Sequence, residues 1–112
     1  MDELDELIQI YLRELGDAIL SRRKEQGLKQ RELANFAGYT GRYQCMVEDG
    51  QRNVTLAYLI CVSLALHCRP GELLDDVMRS IEQSPTSAKR FAELQQQALA
   101  KMLKNMHIQN NK

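Results

Sequence analysis

An all-α protein is predicted, and three observations carry that prediction. Apolar residues recur at three- and four-residue spacing along most of the chain, the mark of helices that bury one stripe. Alternating β-branched runs, the mark of half-buried strands, are missing. Helix-stopping residues stand between the periodic stretches, at Gly27, Gly38, Gly50 and Pro70-Gly71. With 112 residues, 44% of them apolar, the chain is one domain plus at most an appendage, with enough apolar surface for a helical core.

The first helix is expected to start near Asp2 to Leu4 and to run to Gln26, with a break near Gly16 left open. Leu4, Leu7, Ile8, Tyr11, Leu12 and Leu15 form its stripe, and the acids of its first turns suit the positive end of the helix dipole. A second helix spans about Gln30 to Ala37, with Leu33, Phe36 and Ala37 inward. Gly38 follows it, where a left-handed backbone costs glycine nothing. Tyr39 and Thr40 make the turn, and Thr40 caps a third helix that runs to about Asp49. A polar bend, Gln51 to Asn53, leads to a fourth from about Thr55 to His67. Its face of Leu56, Leu59, Ile60, Val62, Ser63 and Leu66 reads as the central buried helix of a bundle. Pro70 suits the first turn of a fifth helix carrying Leu73, Leu74, Val77, Met78 and Ile81. Ser84 to Ser87 is the clearest linker. A last amphipathic helix covers about Ser87 to Met106, and residues 107–112 are expected to fray.

Composition narrows the function. No stretch approaches the ~20 apolar residues of a membrane span. The opening MDELDEL is acidic where an export signal is basic. Three cysteines without a pairing framework fit a reducing cytoplasm. Net charge is zero but unevenly spread. Residues 1–17 hold six acids and one base, residues 18–52 seven bases and four acids. Residues 53–76 hold three acids and one base, residues 77–112 six bases and two acids. Phosphate attraction depends on local potential within a Debye length of ~8–10 Å, so a basic segment in a neutral protein can bind DNA.

Helix, glycine turn, capped helix is the arrangement that lays a recognition helix in the DNA major groove. The residues Leu15-Gly16, Ile19, Arg23, Gly27-Leu28, Gln30, Leu33-Ala34, Ala37-Gly38, Val47-Glu48, Gly50 and Arg52-Asn53-Val54-Thr55-Leu56 carry a resemblance. From Leu15 to about Leu74 the chain resembles the phage-repressor and Cro-type helix-turn-helix domain, the XRE family. The Arg52–Leu56 segment with the apolar helix after it also resembles small controller proteins of restriction–modification systems. The resemblance implies a compact five-helix repressor-like domain over residues 15–83. Residues 1–14 are then an N-terminal helical extension, and residues 84–112 hold the C-terminal amphipathic helix.

Candidate DNA contacts follow from the motif. Gln30 stands at the start of the second helix, where an amide beside free backbone N–H groups makes a phosphate seat and where the family uses a glutamine for that purpose. Arg42, near the start of the recognition helix, can fork onto guanine O6 and N7. Gly41, Cys45, Met46 and Asp49 share its outward face, and Thr40 stands at its cap. Tyr43 could touch a sugar–phosphate or a thymine methyl, or pack its ring on the turn. Cys45 and Met46 could meet thymine methyls or a protein partner. Lys29 and Arg52, with Arg22 and Lys24, are candidate phosphate ligands. The resemblance implies a structural ion pair between Arg23 and Glu48. Two positions depart from the family: Gln44 replaces a buried branched aliphatic, and Tyr39 replaces valine. Either Gln44 finds a hydrogen-bond partner, or this helix sits differently.

Two functional readings follow. The first is a sequence-specific transcriptional regulator, a repressor or autoregulator, binding double-stranded DNA as a homodimer on a near-palindromic operator. Its dimer contact is expected on the last helix, through Phe91, Leu94, Ala98, Leu99, Met102 and Leu103, with the N-terminal extension as the alternative. The other is a protein-interaction module, antitoxin- or adaptor-like, that has lost base readout and takes a second protein as partner. Cys61, His67 and Cys68 match no zinc spacing, so no metal or cofactor is expected. No nucleophile–base arrangement or phosphate loop suggests an enzyme.

Overall fold

Asp2 opens the first helix by accepting a hydrogen bond from the Asp5 amide at 2.9 Å, and the backbone then stays helical from Glu3 to Glu25 (α1). This computed structural model describes residues 2–110, with side chains described as far as Met106. After α1 come α2 (Gln30–Ala37), α3 (Gly41–Glu48), α4 (Leu56–Ala65), α5 (Pro70–Gln83) and α6 (Pro85–Asn110). The fold is all-helical, with no strand among the described residues.

Gly16 does not break α1. It is the point where α1 presses on the end of α3, and a Cβ there would stand 2.5 Å from the Val47 carbonyl oxygen and 2.6 Å from that of Glu48. Only glycine lets the two backbones approach this closely. Residues 3–14 therefore belong to the same rod, which meets the end of α3 near its own middle.

α1 packs on α3, α5 and α6, while α2 packs on α3 and α4. The core at their junction is built from Leu15, Ala18 and Ile19 of α1, Leu33 of α2 and Val47 of α3. Tyr58 and Val62 of α4 with Leu66 at its C-cap, Leu73, Val77 and Ile81 of α5, and Phe91 of α6 complete it. Two inward assignments are corrected. Phe36 points out, and Ala34 takes the inner position between Leu33 and Ala37. α4 is not buried all round: Leu56 and Ile60 are exposed, and Tyr58 with Val62 and Ser63 turns inward. A helix that is apolar on every side offers no periodicity to say which side faces the core.

The segment expected as a linker is almost entirely helical. Only Ser84 is extended, and α6 starts at Pro85, where a missing N–H costs no hydrogen bond. α6 turns back along α1. Arg90 pairs with Glu6 at 2.9 Å, Lys101 pairs with Glu3, and the Tyr11 ring meets Phe91 edge-on at 5.4 Å. The extension thus finds its cover within the same chain. This corrects the expectation for Phe91, Leu94 and Ala98 as open apolar surface: they are buried within the chain itself, where α6 packs on α1 and α5. Leu99, Met102, Leu103 and Met106 stay about half exposed. α6 continues past Met106 to Asn110, and the last two residues of the expected frayed tail lie outside the described residues. Among the described residues no helix is long and apolar enough to cross a membrane.

Candidate nucleic-acid interface

The helix-turn-helix is fixed first by its turn. Gly38 takes a left-handed backbone with φ of 83°, and the Tyr39 amide closes back on the Ala34 carbonyl at 2.8 Å. Thr40 then caps α3, its Oγ1 accepting from the Tyr43 amide at 3.1 Å. At the other end of α2, the Glu32 carboxylate accepts from the Lys29 amide at 2.9 Å.

Behind α3 lies a buried polar network centred on Glu48. Arg23 donates to its carboxylate through Nε at 3.0 Å and Nη2 at 2.8 Å, and through Nη1 to the Leu28 carbonyl at 2.9 Å. Gln30 Nε2 donates to Glu48 Oε1 at 3.1 Å. Gln44, fully buried, donates from Nε2 to Glu48 Oε2 at 2.8 Å and accepts the Tyr58 hydroxyl on Oε1 at 2.7 Å. Both ends of its amide are therefore satisfied, which answers the departure at this position: Gln44 has partners. The network ties α1, α2, α3 and α4 to one carboxylate. A buried charge held by three donors resists displacement, because losing one partner strands the rest.

Three tyrosines cluster beside the network, one of them, Tyr58, bonded into it. Tyr39 stacks on Tyr43 at 5.0 Å with 21° between the rings, and Tyr58 meets both edge-on at 5.0 and 5.2 Å. Burial pushes the Tyr58 phenol well above its ordinary range, and desolvation raises Tyr43 as well. Nothing in the sequence spacing points to Tyr58 as the partner of Gln44. Its signal is a lone aromatic hydroxyl in an otherwise apolar helix, which has to donate somewhere when buried.

The outer face of α3 is open. Arg42 and Cys45 are exposed, Gly41, Tyr43 and Met46 are half-buried, and Asp49 beyond the helix end is exposed. Thr40, Arg42, Tyr43, Met46 and Arg52 line one shallow concavity. The Arg52 guanidinium lies over the Tyr43 ring at 5.7 Å, so Tyr43 both packs on the turn and carries a cation. Cys45 sits outside this hollow, its Sγ 3.8 Å from Asp49 Oδ2. Lys29 is exposed at the cap of α2. Gln30 is half-buried with one amide N–H engaged by Glu48, which leaves the second N–H of that nitrogen as a donor.

Arg22 does not join this face. Its Nε binds Asp76 at 2.6 Å, Glu72 stands 3.9 Å from its Nη2, and that pairing holds its guanidinium more firmly charged. Among the described residues no three His, Cys, Asp or Glu side chains converge as a metal site would require.

The comparisons with known proteins fit this geometry. The restriction–modification controller protein C.AhdI from Aeromonas hydrophila is 37% identical, with a TM-score of 0.55, over 55% of this chain and 94% of its own. The chain belongs to the XRE family of helix-turn-helix transcriptional regulators. Two crystal structures of the clp gene regulator ClgR from Corynebacterium glutamicum resemble this XRE-family chain as well. One is 28% identical at a TM-score of 0.61, over 62% of this chain and 90% of that one. The other is 26% identical at 0.62, over 87% of this chain and 94% of that one, so the likeness extends beyond the helix-turn-helix. No family model matches the chain, and no curated protein does.

Proposed function

We propose that this XRE-family protein is a sequence-specific DNA-binding regulator of transcription. It acts as a homodimer on a near-palindromic operator, as a repressor or autoregulator. The observation that carries the reading is the contrast between the two sides of α3. Its inner side is held by the Glu48 network on four helices, while its outer side presents Arg42 and Arg52 about one hollow. A fixed back and a basic front are what presenting an arginine fork to base edges requires. In this reading residues 15–83 contact DNA, with Lys29, Gln30, Thr40 and Arg52 on phosphates and Arg42 on a base. Tyr43, Cys45 and Met46 meet sugar or thymine methyl. The start of α1 and α6, paired through Glu6–Arg90 and Glu3–Lys101, brace that unit.

The test is fluorescence anisotropy on the gene's own upstream DNA and on a scrambled duplex, over a salt series, with wild type and Arg42→Ala. The expected result is tight, salt-steep binding to the first duplex, weakened ~5- to 150-fold by the substitution, as removal of one bidentate base contact implies. Equal weak binding to both duplexes, insensitive to Arg42, would turn the reading to the protein-interaction module that Cys45, Met46 and Asp49 on the same face would serve.

A further inference from the structure

α4 and the segment around it carry no charged side chain between Arg52 and Arg69. Such a helix, apolar on all sides, belongs inside a protein, yet one of its sides is bare. Leu56, Ile60 and Leu64, spaced four residues apart on one stripe, are 69%, 44% and 70% exposed. Phe36 of α2, 69% exposed, stands beside them and lines a shallow depression with Cys61, Leu64 and His67. Scattered single apolar residues on a surface mean little, but a contiguous set of this size marks a contact surface.

We propose that this α2–α4 face is the seat of a second copy of the same chain, paired about a two-fold axis. The proposal rests on the homodimeric regulator described above and names its interface. Three features favour a second copy. At a two-fold axis each residue meets its own counterpart, so a charged stripe would repel itself and an uncharged one does not. A protruding Leu64 or Phe36 on one copy meets a depression lined by the same residues on the other, which is the self-complementarity that isologous pairing needs. Covering the four large side chains on both copies, with the smaller residues between them, removes on the order of 1,000 Å² from water, the size at which specific interfaces begin.

The other open apolar face, Leu4 and Ile8 of α1 with Leu99, Met102 and Leu103 of α6, is less suited to the task. It is crossed by charges, the Glu3–Lys101 pair among them. α6 packs on α1 and α5, whereas α2 packs on both α3 and α4. A two-fold contact through α2 and α4 therefore fixes the spacing of the two recognition helices through one intervening layer, which half-site geometry requires.

Sedimentation of the full chain without DNA tests the assignment, using wild type, Phe36→Glu/Leu64→Glu and Met102→Glu/Leu103→Glu, with circular dichroism to verify folding. All four positions are exposed, so both variants should fold. The expected result is a dimeric wild type, a dimer dissociation constant raised at least ~100-fold by the α2–α4 pair, and little change from the α6 pair. An α2–α4 variant that still sediments as wild type, loss of the dimer with the α6 variant alone, or a wild type that stays monomeric would each overturn it. DNA binding is read separately. A dimer broken by the α2–α4 variant in a protein that binds no DNA supports the interface while the regulator reading fails. A wild type that binds its operator, with the variant still dimeric, does the reverse.

Discussion

The Tyr58 hydroxyl donates to the Gln44 carboxamide oxygen at 2.7 Å, joining the first turn of α4 to the inner face of α3. Neither group touches water, so each is worth most as the other's partner. Tyr58→Phe leaves the Gln44 oxygen unpaired at a cost of about 1–3 kcal/mol, and Gln44→Leu leaves both the Tyr58 hydroxyl and one Glu48 bond unmade. The double variant should cost less than the sum, by roughly 1 kcal/mol or more, because the orphaned groups leave together. A double-mutant cycle by urea denaturation measures this. Additive costs would mean that the two side chains are independent.

The same phenol sets an alkaline limit. In the unfolded chain a tyrosine titrates near its ordinary value of about 10, whereas burial holds the proton on folded Tyr58 well above that. The folded state then binds more protons than the unfolded one, so stability is full below about pH 10 and falls above it. The loss approaches ~1.4 kcal/mol per pH unit for each phenol so held. Urea midpoints measured between about pH 8 and pH 11 should show the decline, and Tyr58→Phe should flatten it. An equally steep decline in the variant would place the alkaline sensitivity elsewhere.

Two glycines should answer the same substitution with opposite signs. At Gly16 a methyl group would meet backbone oxygens of Val47 and Glu48 that cannot swing aside, whereas at Gly71 it would meet nothing within 4 Å. Gly16→Ala should therefore destabilise by about 2 kcal/mol or more despite alanine's better helix propensity, since overpacking outweighs it. Gly71→Ala should be neutral or stabilising by up to ~1 kcal/mol. Thermal unfolding separates them readily, at ~4–8 °C per kcal/mol in a chain near this size. A Gly16→Ala protein as stable as wild type would show that α1 and α3 can part at no cost.

Local signals make most of the fold legible. Gln30–Ala37 and the Thr40 cap follow from side-chain chemistry close by in sequence, and the structure has them where periodicity and capping put them. The misplacements all involve partners far away in the chain. Spacing turns Phe36 and Leu56 inward because it reports a stripe without saying which way that stripe faces. Phe91, Leu94 and Ala98 look like spare apolar surface because nothing local reveals that α6 folds back on α1. His67 holds a left-handed backbone with φ of 56° at the end of α4, a place where glycine is usual, and its neighbours in sequence give no sign of it. For the site, Arg42's exposure is legible from the helix phase. The Gln44–Tyr58 bond and the seat of Arg52 on Tyr43 depend on how α3 meets the elements after it.

That seat supplies a prediction about affinity. The Tyr43 ring is held between Tyr39 and the Arg52 guanidinium, so it acts as a shelf that fixes where the cation points. The hydroxyl plays no part in that contact, whereas the ring plays all of it. Tyr43→Phe should keep operator affinity within about twofold, since the cation–π contact of ~0.5–1 kcal/mol survives. Tyr43→Ala removes the shelf and half of the stack beneath it. Arg52 then becomes an unrestrained side chain that must be ordered on binding, at about 0.5–1.5 kcal/mol. The expected result is a ~10-fold loss of affinity with a salt slope shallower by about one, as when a single cation no longer reaches its phosphate. Arg52→Ala should show the same slope change, and adding it to Tyr43→Ala should lower affinity little further. Independent losses from the two substitutions, measured by anisotropy titration over the same salt series, would mean that tyrosine and arginine contact DNA separately and that their stacking is incidental.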